Sequence, residues 1–123
     1  MGLRLAVVLG GAAAACAADP GHPPLARIVL TPAAILADDG FQTEVTLDAT
    51  TSADPIDDPD GVAPLTFAWE ILGDEARYER GRATSAAPVV RFSGQRPATI
   101  VLTVTDADGV AASASANLQL TVR

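Results

Sequence analysis

Residues 97–123 read PATIVLTVTDADGVAASASANLQLTVR, and this stretch decides the fold class. Ile100, Leu102 and Val104 alternate with Val101, Thr103 and Thr105, the two-residue period of a strand with one buried face. Asp106-Ala107-Asp108-Gly109 follows, a run of residues that favour tight turns. Beyond it Ala114, Ala116, Leu118, Leu120 and Val122 alternate with Ser113, Ser115, Asn117, Gln119 and Thr121. Two alternating runs around an acidic, glycine-ended turn predict a β-hairpin. The segments upstream are expected to pack against it.

Those segments are short and strand-like. Residues 26–31 (ARIVLT) are β-branched and end at Pro32, which suits an edge strand. In residues 42–49, Thr43, Val45, Leu47 and Ala49 share one face and Glu44, Thr46 and Asp48 the other. Residues 50–64 form a polar loop rich in proline and aspartate. Residues 65–72 (LTFAWEIL) place Leu65, Phe67, Trp69 and Ile71 on one face, with Trp69 as the expected anchor of the core. Residues 73–87 are irregular, with a short strand expected near Tyr78, and residues 88–93 (PVVRFS) read as one more strand. About seven short strands and no helix predict an all-β chain, an immunoglobulin-like antiparallel β-sandwich.

At 123 residues the chain has room for one domain and a leader. Three Phe, one Trp and one Tyr make the core mainly aliphatic. The formal charge is −7, which argues against nucleic acid, since few bases are present to replace phosphate counterions. No base lies between Arg27 and Arg77, an interval that holds most of the acids. The single cysteine rules out an intrachain disulfide.

The leader is expected to occupy residues 1–15. Arg4 precedes an apolar run from Leu5 to Leu9 and then small residues, the layout of an export signal. The run is shorter than the roughly 20 residues that a spanning helix needs. Cys16 follows Ala13-Ala14-Ala15, and this arrangement resembles a bacterial lipoprotein signal. The resemblance implies acylation of Cys16 and a membrane anchor, with each buried methylene contributing about 0.8 kcal/mol. With Ala17 next, it further implies an outer-membrane or cell-surface position in the envelope. Ordinary cleavage after Ala13-Ala14-Ala15, giving a secreted or periplasmic protein with a free thiol, is the alternative. Residues 16–24 then form a proline-rich tether, with His22 expected as a solvated linker residue. The domain proper is expected over residues 25–123.

The combination LDATTSADP and DPDG, then LTFAWEI, then IVLTVTDADG with a polar-alternating last strand resembles a PKD (polycystic kidney disease) domain. A fibronectin type III or cadherin-like sandwich is the architectural alternative. The loop around Ile56 is about four residues longer than the PKD pattern. The resemblance implies a non-catalytic module for protein or carbohydrate contact, carried on the envelope by its lipid anchor, with no small-molecule substrate. A calcium-responsive spacer, or a secreted adhesion module without lipid, is the alternative function.

In an immunoglobulin-like fold the loop after the second strand and the loop joining the last two strands share one end. Asp54, Asp57, Asp58 and Asp60 would then face Asp106 and Asp108. Two readings stand side by side. The aspartates are turn formers that bond nearby backbone N–H groups, or they share a calcium ion, which accepts many oxygen ligands in flexible geometry. The resemblance points to Asp58, Asp60 and Asp106 as ligands, with Asp54 and Asp108 as secondary candidates. No other cofactor is expected. His22 lacks a second histidine or a held nucleophile, so no enzyme is expected. The arginines from Arg77 to Arg96 either balance the domain's own acids or meet an acidic partner.

Overall fold

The structure, a computed structural model, describes residues 21–122. The expected export signal, Cys16 and the first part of the tether lie outside these residues. Among the described residues the chain is all-β, with eight strands in two four-stranded sheets. They are β1 (Val29–Thr31), β2 (Ala34–Leu36), β3 (Glu44–Asp48), β4 (Thr66–Leu72), β5 (Ala76–Arg80), β6 (Val89–Phe92), β7 (Ala98–Thr105) and β8 (Ala111–Thr121). One sheet has the order β1-β3-β6-β5 and the other β2-β8-β7-β4.

The closing hairpin forms as its alternation requires. β7 and β8 pair antiparallel from Ala98↔Leu118 to Thr105↔Ala111, and β4 lies on the other side of β7, from Thr66↔Thr105 to Leu72↔Thr99. Ile100, Leu102, Val104 and Leu118 are buried from this sheet, and Val45, Leu47, Val90 and Phe92 from the facing one. The two apolar faces share one core, the two-layer solution for sheets with one wet face each.

Two expectations are corrected. The described residues hold eight strands where about seven were expected, and the sandwich is not wholly antiparallel. Both corrections come from Ala34–Leu36, which leaves its predecessor's sheet after Pro32 and pairs parallel to β8, Ile35 opposite Leu120. The chain keeps its direction as it crosses from one sheet to the other, so it meets β8 running the same way. Ile35 is fully buried there. Trp69 does belong to the core at 5% exposure, but β4 is an edge strand. The indole closes the side of the sandwich, with its Nε1–H donated to the Ser85 carbonyl at 2.8 Å. Phe92 is the largest fully buried side chain.

The end opposite the hairpin turn is pinned by one acid. Asp74, in the connection between β4 and β5, accepts hydrogen bonds from Ser93 Oγ, from the Gly94 N–H at 2.8 Å and from the Gln95 N–H at 3.3 Å. Gly94 has φ +81, and a Cβ there would stand 2.5 Å from the Leu36 carbonyl oxygen. Glycine is required at this crossing of backbones.

Candidate cation site at the hairpin-turn end

The loop between β3 and β4 meets the turn between β7 and β8. Asp54, Asp57, Asp58, Asp106 and Asp108 line a cleft of about 150 Å³ between them. The geometry of each acid follows from its own turn. Asp106 Oδ1 accepts the backbone N–H groups of Asp108 and Val110, both at 2.9 Å, and the Gly109 N–H returns to the Asp106 carbonyl at 3.1 Å. This fixes the side chain and leaves Oδ2 buried with no partner. Asp54 opens a tight loop in which the Asp58 N–H reaches the Asp54 carbonyl at 2.9 Å. Asp54 is 7% exposed and Asp106 6%, and Oδ1 of Asp54 is likewise buried and unpartnered.

The other acids divide into two kinds. Asp57 is exposed but offers an oxygen within 4.8 Å of oxygens from both Asp54 and Asp106. Asp58 is turned into its own loop, where it accepts the Val62 N–H at 3.1 Å and the Ala63 N–H at 2.8 Å. It therefore serves as the turn former that sequence analysis gave as one of two readings. Asp108 stands exposed on the cleft wall, and Asp60 is exposed and does not line it. The trio brought together is thus Asp54, Asp57 and Asp106, in which only Asp106 was a first-choice candidate. Residues 54–58 wind into a turn, closed by the Asp58 N–H on the Asp54 carbonyl, and Asp57 within it lines the cleft.

His22 is exposed, yet it touches this site. Its backbone N–H donates to Asp57 Oδ2 at 2.5 Å, and its ring Nδ1 lies 3.4 Å from Asp57 Oδ1. Residues 21–24, the described end of the expected tether, thus run along the acidic loop, and Pro24 is buried.

Electrostatics at the cleft are unfavourable without a counter-charge. Burial first, then the charges of Asp106, Asp57 and Asp58, push the Asp54 carboxyl above its ordinary range, against one opposing hydrogen bond from the Asp57 backbone. Buried acceptors without donors are rare because nothing replaces the water they lost. A hard cation supplies what both oxygens lack, and three carboxylates with no sulfur or nitrogen among them suit calcium better than a soft metal. Asp54, Asp57 and Asp106 therefore fit calcium, which would neutralise their repulsion and tie the two loops together.

Two of the arginines serve the domain's own acids. On the outer face of β3, β5 and β6, Arg91 meets Glu44 at 2.7 Å and Glu79 at 2.9 Å, and Arg80 meets Glu44 at 3.1 Å. Arg77 lies 3.8 Å over the Phe41 ring, a cation–π contact.

Neither a family model nor a curated protein matches the chain. Among solved structures, a nucleoside hydrolase-related hypothetical protein from Saccharophagus degradans, associated with carbohydrate metabolism, is similar at a TM-score of 0.55 and 19% identity. The match covers 82% of this chain but only 26% of that one, so the likeness is one of fold, shared with about a quarter of a longer protein.

Proposed function

We propose that the chain is a non-catalytic binding module of the cell envelope. It is a PKD-like sandwich of the immunoglobulin type, carried on a lipidated Cys16, that holds calcium between Asp54, Asp57 and Asp106. Through the same end it meets a protein or carbohydrate partner. The observation that carries this reading is the pair of buried, unpartnered oxygens, Asp54 Oδ1 and Asp106 Oδ2, contributed by two different loops. The interleaving of strands between the sheets is what an immunoglobulin-type sandwich requires. Calcium here does structural work: it fixes the loops that present the binding surface.

Thermal melts in calcium and in chelator test the site. Extracellular calcium modules bind at about 10⁻⁴–10⁻³ M. At 10 mM calcium that affinity stabilises by roughly 1.4–2.7 kcal/mol, a rise in Tm on the order of 10 °C for a domain of this size. Asp106→Asn keeps the turn's Oδ1 acceptor and removes the charge, so it should abolish the gain. Equal melts of the unmodified chain in calcium and chelator would sink the metal reading. Anchoring is tested separately: Cys16→Ala should move the protein out of membrane fractions, and an unchanged membrane share refutes lipidation.

A further inference from the structure

The sheet edges are guarded in different ways, with one exception. β1 and β2 have 3 residues each, and Pro32 stands between them. β5 carries a bulge between Tyr78 and Arg80, and the charges of Arg77, Glu79 and Arg80. The outer side of β4 is tied to the 81–88 loop by the Trp69 N–H on the Ala83 carbonyl. Short length, charge, bulges and covering loops are the usual protection of an edge. One side of β8 has none of them. β2 pairs with it only at residues 119–121, and among the described residues no segment pairs with that side over residues 111–118.

The phase of the hairpin says which groups are left over. The Asp106 N–H bonds the Val110 carbonyl, so in the ladder that follows Ala112, Ala114 and Ala116 turn their N–H and C=O groups to β7. The Thr121 carbonyl faces β2, where it accepts the Ala37 N–H. The N–H and C=O groups of Ala111, Ser113, Ser115 and Asn117 therefore project from the open side. Ser113 and Asn117 lean the other way: Ser113 Oγ lies 3.3 Å from Thr103 Oγ1, and Asn117 Oδ1 accepts from Thr99 Oγ1 at 3.1 Å. No charged residue lies between Asp108 and Arg123.

We propose that this edge pairs with the same edge of a second copy, antiparallel, about a two-fold axis at Ala114. In that register Ser113 faces Ser115 of the second copy and Ala111 faces Asn117 of the second copy, so each projecting N–H meets a C=O. On the inner side Ala112 faces Ala116 and Ala114 faces its counterpart, small side chains that let the backbones close. Pairing stops short of residue 119, where β2 takes the neighbouring place. Charge selects this partner and this direction. The acidic loops lie at the turn end of β8, and antiparallel pairing puts the two acidic ends on the order of 40 Å apart, at about 3.3 Å per residue. That is several times the screening length of about 8 Å at physiological salt. A chain of net charge −7 can thus meet itself along a neutral strip with its acids held apart. The pairing uses up both open edges, so it closes at two copies. It does not involve the carboxylate cleft and stands independently of calcium.

Sedimentation equilibrium of the 123-residue chain from about 10 µM to about 1 mM, with amide hydrogen exchange read by NMR at both limits, tests the pairing. One strand pair of small side chains falls at the low end of interface sizes, so a reversible dimer with a Kd on the order of 10⁻⁴ M is expected. In the dilute sample the amides of Ser113, Ser115 and Asn117 should exchange freely beside protected Ala112, Ala114 and Ala116; in the concentrated one they should be protected too. Ser113→Lys with Ser115→Lys sets like charges across the axis and should weaken the dimer about tenfold at unchanged Tm. Ser113→Glu with Ser115→Lys sets opposite charges across it and should restore the dimer. A monomer at the highest concentration, growth beyond two copies, protection at another edge, or equal association of all three chains would each overturn the proposal. So would protection of Ser113, Ser115 and Asn117 already in the monomer, which would assign the edge to residues 1–20 of the same chain.

Discussion

Replacing Trp69 by phenylalanine isolates the hydrogen bond that closes the open side of the sandwich. The indole is nearly buried, and its Nε1–H meets the Ser85 carbonyl at 2.8 Å. The backbone bond from the Trp69 N–H to the Ala83 carbonyl at 2.7 Å remains, so β4 keeps one tie to the 81–88 loop. Phenylalanine leaves the Ser85 carbonyl without its donor, at about 1–3 kcal/mol. The void where the second ring stood adds about 1 kcal/mol. The sum, roughly 2–4 kcal/mol, is a fall in Tm on the order of 10–20 °C for a domain near 100 residues. Urea denaturation followed by far-UV circular dichroism measures it, with the slope m expected to stay constant. Phe92→Leu serves as the reference, because it removes apolar volume from a fully buried site without touching a hydrogen bond. It should cost about 1 kcal/mol, the usual size for a modest core change. A Trp69→Phe variant within about 0.5 kcal/mol of the parent, inside the range of ordinary surface substitutions, would refute the reasoning.

Other outcomes follow from named contacts. Burial alone would raise the Asp74 carboxyl, but hydrogen bonds from Ser93, Gly94, Gln95 and Glu75 outweigh it and hold it below its ordinary value. Its contribution to stability is therefore full above the unfolded carboxylate range and lost as pH falls through the folded value. Asp74→Asn should flatten acid denaturation there, and an unchanged acid limb would contradict the clamp. The Asp54 carboxyl is shifted the other way, so in chelator the fold should lose stability as pH rises from the ordinary carboxylate range through the raised value. Asp106→Asn should reduce that slope and raise the Tm at neutral pH in chelator; a lower Tm would show that repulsion is not the governing term. Gly94→Ala forces a Cβ against the Leu36 carbonyl in a left-handed conformation. It should destabilise by more than about 1 kcal/mol, read by the same melts.

Much of the sandwich was legible because burial on one side only writes itself into alternation. β7, β8, β3 and β4 each carry it, and each turns inward the face its pattern named, except that Val122, at the end of the last alternating run, lies beyond β8 and is exposed. β2 escaped notice because three residues offer too little period to read, and its parallel pairing with β8 is set by a crossing between sheets that no local pattern records. Phe92 was underrated for a related reason. β6 is a central strand with Val89, Val90 and Phe92 all buried, so it has no alternation to display. The candidate site was legible as an encounter of two acidic loops, since topology alone brings them together. Which acids point inward was not, because that depends on how residues 54–58 wind and on Asp58 spending its oxygens on its own loop. The contact of His22 with Asp57 left no sequence signal, as nothing in a proline-rich run announces where it will lie.

The crossing of the first strands between the sheets has a mechanical consequence. β2 and β8 run parallel and adjacent, paired through Ala34↔Gln119, Ile35↔Leu120 and Leu36↔Thr121. The Ala37 N–H adds a bond to the Thr121 carbonyl at 2.8 Å. A load applied between the segment before β1 and the end of β8 pulls these neighbours in opposite directions along their length. Their hydrogen bonds are then strained together in shear, whereas an antiparallel pair loaded at one end parts bond by bond. A module tethered upstream and tugged from its far end would resist as a unit until this short patch gave way at once.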